Sequence, residues 1–342
     1  MRAVRFHEHG GPEVLKYEEV PDPVPTSDEA LVRVKACALN HLDIWARNGL
    51  PNVAIPLPHI SGSDIAGVVE SVPAEEKAFA AGDEVIVNPG MGCGRCDRCL
   101  SGKDDQCKDY TIIGYGVDGG YAELVKVRRT HLIRKPEQMS FEESASFPLV
   151  FETAYHMLVT KAKVTPRDTV LVLGANSGVG SAAIQVAKLF GAKVIATAGD
   201  KSKAEKARNL GADEVVDHYS QDVLAEVRRL TGKRGVDVVV EHVGRSTWQG
   251  SVKALAKGGR LVTCGATTGG EVTTDLRYVF NRELTIYGSF MAGMGELLEV
   301  VDLFRSGRLK AVVDTLYPLA EARKAQSMME SSRHFGKIVL RV

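Results

Sequence analysis

The chain has 342 residues, too many for one ordinary hydrophobic core, so two domains are expected. Its 43 Lys and Arg residues balance its 43 Asp and Glu residues, and no overall field favours nucleic acid or an anionic membrane. No apolar run reaches the roughly 18 residues of a membrane span, and the first residues lack the apolar core of a secretory signal. We therefore expect a cytoplasmic protein.

The first 130 residues have the pattern of short β-strands. Apolar residues alternate with polar ones or form short runs, with Gly or Pro close by, at 30–36, 67–72, 83–87 and 119–127. Many short strands separated by turn signals predict a small barrel or sandwich in this half of the chain.

The pattern changes after Ser140, which forms a possible capping box with Glu143 at the start of a helix over 141–161. Apolar strands then alternate with helices, at 169–173, 193–197, 214–216, 236–241, 259–265 and 283–288. Such an alternation predicts a parallel sheet that helices cover on both faces. A helix near 295–306 and a strand at 336–342 end the chain.

A glycine-rich turn joins the first of these apolar strands to its helix. Gly174, Gly178 and Gly180 follow the strand directly. Without side chains, the backbone can approach a diphosphate, and the helix N-terminus offers free N–H groups to it. We predict a dinucleotide site made by Ser177, Gly178, Val179 and Gly180, although a turn that is rich in glycine for packing alone remains the alternative.

The second apolar strand ends without the carboxylate that NAD-binding proteins usually place on the adenosine ribose. Ala198 stands at that position, and Lys201 and Lys203 follow. A missing acid beside ammonium groups favours the 2′-phosphate of NADP(H) over NAD(H). Asp200 opposes this interpretation if it faces the pocket, and both lysines have the alternative of being solvated helix residues.

Four of the six cysteines lie within fifteen residues of one another. Cys93, Cys96, Cys99 and Cys107 are spaced as C-x2-C-x2-C-x7-C. Four thiolates in a compact loop suit tetrahedral zinc, and a closed site with four protein ligands is structural. An iron–sulfur cluster lacks its usual proline here, and a reducing compartment disfavours disulfides. We predict one structural Zn²⁺ in a lobe at about residues 90–110.

Together these features resemble the medium-chain dehydrogenase/reductase superfamily, which includes the zinc alcohol dehydrogenases and the quinone oxidoreductases. The resemblance covers the whole chain, and its motifs lie at 11–15, 35–43 and 336–340, in the cysteine lobe and in the glycine turn. It implies an α/β fold with a GroES-like β-barrel domain at 1–150 and 290–342. A Rossmann domain with a doubly wound parallel sheet follows at 151–289. The family also implies a cofactor between the domains and a homodimer or homotetramer.

Three positions depart from the zinc alcohol dehydrogenases, which bind a second, catalytic zinc. Asn40, Ser63 and Leu149 stand where that family has its catalytic zinc ligands, while the neighbouring acid is kept as Asp64. Asn40 and Ser63 are poor zinc ligands and Leu149 cannot be one. We expect the structural zinc to be kept and the catalytic zinc to be lost. Asn40 in an Asn-x-x-Asp context is similar to the quinone oxidoreductases, and so is the segment at 240–248.

The resemblance also suggests which side chains serve the reaction. Without a metal, negative charge developing on oxygen needs hydrogen-bond donors or a proton source, and Asn40 and His41 are the candidates. His41 has the alternative of binding cofactor phosphate or ribose. Asp43 is a helix cap or a member of a proton relay. Thr153 stands where relatives hold the carboxamide or ribose region, or it bonds its own backbone.

Further cofactor-binding residues are expected after the parallel strands, where such sheets bind ligands. The resemblance places Lys203 and His218 beside the 2′-phosphate, and Ser289 and Phe290 at the carboxamide. The predicted residues beyond the glycine turn are Gly199, Lys203, His218, Val243, Gly265, Ala266, Thr267, Ser289, Phe290 and Lys337.

Three functions remain open. The first is an NADP(H)-dependent alcohol dehydrogenase or carbonyl reductase that transfers hydride between nicotinamide and an alcohol, ketone or aldehyde without a catalytic zinc. The second is an NADPH-dependent quinone or enone reductase. The third is an NADPH-binding protein without catalytic activity.

Overall fold

A computed structural model describes residues 1–50 and 53–342. It divides them into two compact units, a first unit of Met1–Leu149 with Gly293–Val342 and a second unit of Val150–Ala292. Among the described residues, every helix is too short or too polar to cross a membrane.

The first unit begins with short strands and few helices. In chain order its elements are β1 (Arg2–Phe6), β2 (Lys16–Glu19), β3 (Glu29–Ala38), α1 (His41–Asn48), β4 (His59–Ile60), β5 (Asp64–Ser71), β6 (Glu84–Val87), β7 (Gly90–Met91), α2 (Asp97–Leu100), β8 (Thr111–Ile112), β9 (Leu124–Arg128), β10 (Leu132–Arg134) and α3 (Phe141–Ala145), with 3-10 turns at Pro12–Val14, Asp104–Gln106 and Arg129–His131.

The second unit alternates helices and strands. Its elements are α4 (Pro148–Tyr155), continued by a π-helical turn (His156–Lys161), β11 (Thr169–Val172), α5 (Gly178–Leu189), β12 (Lys193–Ala198), α6 (Lys201–Asn209), β13 (Glu214–Asp217), α7 (Val223–Leu230), β14 (Val236–Glu241), α8 (Trp248–Ala254), β15 (Leu255–Thr263), α9 (Leu276–Asn281) and β16 (Thr285–Gly288).

The strands of the second unit form one parallel sheet in the order β13-β12-β11-β14-β15-β16. Its central strands are apolar on both faces, and Leu171, Ile195, Val239 and Leu261 form its core. A strand that is buried on both sides cannot alternate polar with apolar residues, which is why these runs are continuous in the sequence. This is the expected Rossmann sheet.

The last segment returns to the first unit with α10 (Met294–Arg305), β17 (Val313–Pro318), a 3-10 turn (Leu319–Glu321), α11 (Ala322–Glu330) and β18 (Lys337–Arg341). The main sheet runs β10-β6-β5-β3-β18-β17, and β9 also pairs with β3. In β3, Val32 and Val34 are buried while Arg33 and Lys35 are exposed, so its alternation matches a half-buried strand. This strand order gives the barrel-like unit that the short strands of this half of the chain predict.

Two elements differ from the sequence prediction. The helix predicted over 141–161 is interrupted before Pro148, because proline lacks an N–H group and restricts the residue that precedes it. The strand predicted over 119–127 begins only at Leu124. A Cβ atom at Gly119 would lie 2.2 Å from the carbonyl oxygen of Gly62, so two backbone segments cross there at contact distance.

Candidate dinucleotide and zinc sites

Two positions of the glycine turn favour glycine, one through its backbone angle and one through a close backbone contact. Gly174 has a φ of +57°, and Ser177 caps α5 by accepting a hydrogen bond from the N–H of Gly180 at 2.8 Å. A Cβ atom at Gly180 would lie 2.1 Å from the carbonyl oxygen of Gly174. The turn therefore requires glycine at 180, and the N–H groups of Gly178 and Val179 stand in the first turn of α5, suited to an anion.

The other predicted cofactor residues of the second unit share one edge of the sheet. Each lies at or just beyond the carboxyl end of a strand, with Lys203 in the helix that follows β12. They are Gly199 and Lys203 after β12, His218 after β13, Val243 after β14, Gly265, Ala266 and Thr267 after β15, and Ser289 and Phe290 after β16.

The contacts of Asp200, after β12, show how far its negative charge would oppose a bound 2′-phosphate. Its carboxylate caps α6 by accepting a hydrogen bond from the N–H of Lys203 at 2.8 Å, and the Lys203 ammonium lies 3.6 Å from its other oxygen. The acid is therefore partly neutralised by the helix and by Lys203. Partial burial lowers the pKa of His218, and the positive charge of Lys203 adds to this effect. A Cβ atom at Gly199 would lie 2.6 Å from the Tyr219 ring.

A buried carboxylate that no local sequence pattern marks as functional fixes the loop after β14. Glu241 is shielded from solvent and accepts hydrogen bonds from the N–H groups of Val243 and Gly244 at 2.7 and 3.0 Å. It also accepts from the hydroxyls of Thr247 and Ser251 at 3.0 and 2.6 Å. Four donors compensate its desolvation, so Glu241 holds the backbone of Val243 in one position.

The four cysteines of the lobe come together as the sequence predicts. Sulfur–sulfur distances are 4.0 Å between Cys93 and Cys99, 3.6 Å between Cys96 and Cys99, and 3.7 Å between Cys96 and Cys107. All four sulfurs lie within 4.8 Å of one another. Tetrahedral zinc with Zn–S bonds of about 2.3 Å requires sulfur atoms about 3.8 Å apart. The donor set therefore fits a structural zinc ion and is too open for disulfides.

Backbone groups favour thiolates in this lobe and attach it to the rest of the first unit. N–H groups of Arg95 and Cys96 lower the pKa of the Cys93 thiol to about 6. The Arg128 guanidinium donates to the Gly92 carbonyl at 2.7 Å, and Asp104 accepts from the N–H of Met294 at 3.1 Å. The lobe is thus held to β9 and to the first turn of α10.

A buried ion pair occupies the place where the family resemblance puts a catalytic zinc. The Lys337 ammonium donates to the side-chain oxygen of Asn40 at 2.5 Å and to Asp64 at 2.9 Å. Asp64 also accepts from the Asn40 amide at 2.9 Å and from the N–H of Leu149 at 2.8 Å. With its carboxylate satisfied and an ammonium already present, this cluster does not fit a divalent cation.

Asp43 lies in a separate buried network next to this cluster. It accepts hydrogen bonds from the backbone N–H of Asn40 at 2.8 Å, from the N–H of Gly62 at 3.2 Å and from the Tyr121 hydroxyl at 3.0 Å. Burial raises the pKa of Asp43 to about 6. Asp43 therefore caps α1, and its second predicted role, as a member of a proton relay, remains a prediction.

The remaining predicted residues lie in different surroundings. His41 is exposed in the first turn of α1, with its ring 6.1 Å from that of Trp45. Thr153 is buried in α4 of the second unit. Ser63 is buried and adjoins Asp64 in the chain. The pairing of Asp64 with Lys337 could not be predicted from the sequence, because the two residues are far apart along the chain.

A GroES-like barrel and a Rossmann sheet in one chain define the class of two-domain dehydrogenases, and comparisons with known proteins identify the family. Residues 26–137 match the alcohol dehydrogenase GroES-like domain and residues 178–306 match the zinc-binding dehydrogenase domain. The chain is 33% identical to the NAD-dependent alcohol dehydrogenase of Saccharolobus solfataricus over 99% of both proteins. It is 30% identical to the quinone oxidoreductase of Pongo abelii, over 99% of this chain and 97% of that protein.

Among solved structures, a crystal structure of an NAD-dependent alcohol dehydrogenase is 48% identical, with a TM-score of 0.97 over 100% of both chains. The chain therefore belongs to the medium-chain dehydrogenase/reductase superfamily and is an NAD(P)-dependent oxidoreductase of the alcohol dehydrogenase type.

Proposed function

We propose that this protein is an NADP(H)-dependent alcohol dehydrogenase or carbonyl reductase that works without a catalytic zinc. The observation that carries this proposal is the cluster of Asn40, Asp64 and Lys337, in which an ammonium group pairs with the acid that would otherwise lie beside a metal. The zinc that we propose for this protein is one structural ion per chain, held by the four cysteines of the lobe.

When bound, the nicotinamide cofactor supplies or accepts the hydride. The chain holds it with the N–H groups at the start of α5 and with the loops after the parallel strands, including those of Val243, Ala266 and Ser289. Of the polar side chains, we assign substrate orientation and proton handling to Asn40, His41, Asp43 and Thr153. We include Lys337 because its ammonium polarises Asn40 directly.

The preference for NADP(H) is supported by the charges after β12 and β13. Lys203 and His218 stand close to the position where the family binds the 2′-phosphate, and the charge of Asp200 is partly compensated within α6. A phosphate dianion stabilises the protonated form of a neighbouring imidazole. Burial lowers the pKa of His218 in the free protein, and a bound 2′-phosphate opposes this shift, so binding of NADPH is expected to take up more protons than binding of NADH.

The second candidate function is a quinone or enone reductase. It is favoured by Asn40 in its Asn-x-x-Asp context and by the similarity to quinone oxidoreductases. Both candidates use the same cofactor site and differ in the group that receives the hydride, a carbonyl or alcohol in the first and a conjugated acceptor in the second.

Initial rates on one substrate panel distinguish these functions. With NADPH and protein of known zinc content, we expect turnover of cyclic ketones or aldehydes, and of the matching alcohols with NADP⁺. Faster turnover of quinones or enones than of ketones would establish the second function. Dinucleotide binding without turnover of any panel member would contradict both and indicate a non-catalytic NADPH-binding protein.

The assembly we propose is a homodimer or homotetramer. Strand β16 ends the parallel sheet, and near it Leu276 and Phe280 are 70% and 65% exposed. An exposed strand edge beside large apolar side chains is suited to pairing with a second copy. The four unbridged thiols of the lobe support a reducing compartment such as the cytoplasm.

A further inference from the structure

His242 contacts the glycine turn of the second unit, and the predicted site residues do not include it. It follows β14, and its Nε2 lies 2.8 Å from the carbonyl oxygen of Leu173 and 3.4 Å from the Ser177 hydroxyl. A Cβ atom at Gly174 would lie 3.3 Å from Cε1 of the same ring. The imidazole therefore packs against both the start and the cap of the turn.

The hydrogen-bond partners decide where the protons are. A backbone carbonyl can only accept, so Nε2 of His242 carries a proton and donates it to Leu173. Burial lowers the pKa of His242, so the ring is neutral near pH 7 and Nε2 cannot also accept from Ser177. The Ser177 oxygen already accepts from the N–H of Gly180. Within residues 1–50 and 53–342, the Ser177 hydroxyl has no acceptor, and its proton is left to donate to a ligand.

We propose that His242 is a positioning residue of the dinucleotide site, which holds the Ser177 hydroxyl as a donor to the diphosphate of the cofactor. This inference rests on the proposed function. Ser177 is half-buried at the first turn of α5, where its hydroxyl and the free N–H groups of the helix point to the same anion. A side chain at 242 without an Nε2 donor would release the Leu173 carbonyl and loosen the turn.

Calorimetric titration of the full chain with NADPH tests this role through a matched pair of variants. His242→Phe keeps a ring but loses the donor, and NADPH binding is expected to weaken about ten-fold. His242→Gln keeps an N–H group at similar reach and is expected to bind within about three-fold of wild type. Adenosine 2′-monophosphate, which lacks the diphosphate, is expected to bind all three proteins within about two-fold.

A double-mutant cycle separates positioning from general distortion. In a Ser177→Ala background, His242→Phe is expected to weaken NADPH binding less than about two-fold. Unchanged NADPH binding by His242→Phe, equal weakening for adenosine 2′-monophosphate, or an undiminished effect in the Ser177→Ala background would each overturn the proposal. If His242→Phe does not fold, His242→Asn, whose amide is too short to reach Leu173, takes its place. A wild type that binds no NADPH refutes the proposed function instead.

Discussion

Asp64 is a carboxylate without access to water, and its charge is stabilised by three donors on separate segments of the first unit. Removing one partner of such a buried pair leaves an uncompensated charge, which strongly lowers the free energy of unfolding. Replacing both partners by apolar residues changes that free energy much less. The contacts of Asn40, Leu149 and Lys337 therefore depend on one another.

Lys337→Met should lower the free energy of unfolding by about 3 kcal/mol, because Asp64 then lacks its cation. Adding Asp64→Asn should restore part of this loss. The control is Arg33→Met, which breaks the exposed Arg33–Glu70 pair and should cost much less than Lys337→Met. Urea unfolding measures all four proteins. Equal losses of unfolding free energy in Lys337→Met and Arg33→Met would show that the buried pair stabilises the fold no more than the exposed one.

The pKa of Asp43 makes a second prediction at this scale. Folding raises this pKa from the usual 3.8 to about 6, so the stabilisation that its neutral form contributes is present below pH 3.8 and is lost as the pH rises to about 6. Relative to Asp43→Asn, which does not titrate there, wild type should lose up to about 3 kcal/mol between pH 4 and pH 6.5. Urea unfolding across this range gives the difference, and a constant difference would contradict the raised pKa.

Residue-level predictions from sequence succeeded where the signal is local. The spacing of the cysteines and of the glycines is dictated by contacts within a few residues, and the sulfurs of Cys93 and Cys96 meet Cys99 as that spacing requires. The partners of Lys337 and His242 come from distant segments, and no local pattern reveals which side chains the fold brings together. Lys337, predicted to bind the cofactor, lies against Asn40 and Asp64, and its role at the cofactor remains a prediction.

Among the elements, the cysteine lobe is the one whose folding we expect to depend most on a bound metal ion. It consists of one-turn helices and two-residue strands around four sulfurs, with little apolar surface of its own to bury. A bound metal would supply much of the free energy that keeps it folded. The attachments to Arg128 and Met294 fix its two ends but not its interior.

Cys107→Ser should lower the zinc content well below one ion per chain and make the lobe sensitive to protease between residues 93 and 107. Cys264→Ser, which alters a partly buried cysteine outside the lobe, should keep its zinc and its protease resistance. Elemental analysis and mass mapping of the cleavage products report both properties. Full zinc content in Cys107→Ser would show that the four sulfurs do not form the site.

Helices and strands could be predicted from the sequence where their apolar residues follow one clear pattern. The parallel strands are continuous apolar runs, and most of their helices carry a polar face, so β11–β16 lie close to their predicted positions. Short strands such as β4, β7 and β8 have two residues each, too few for any pattern. Their partners lie in other parts of the chain, as β4 pairs with β1, and no local pattern indicates that pairing.

At the scale of the whole molecule, the sheet edge at β16 sets the expected assembly. Phe280→Asp places a charge among the exposed apolar residues near this edge and should lower the mass of the proposed assembly, to a monomer from a dimer or to a dimer from a tetramer. Val24→Asp is the matched control, because Val24 is 80% exposed and belongs to the first unit. Light scattering after size-exclusion chromatography gives the mass of each. An unchanged mass for Phe280→Asp would exclude this edge as the interface.

Titration of zinc-counted wild type with NADPH and NADH tests the central claim most directly. We expect one zinc ion and one dinucleotide per chain, with NADPH bound at least about ten-fold more tightly than NADH because a 2′-phosphate pairs with Lys203 and His218. Failure to bind either dinucleotide, or a second zinc ion in every chain, would contradict the account.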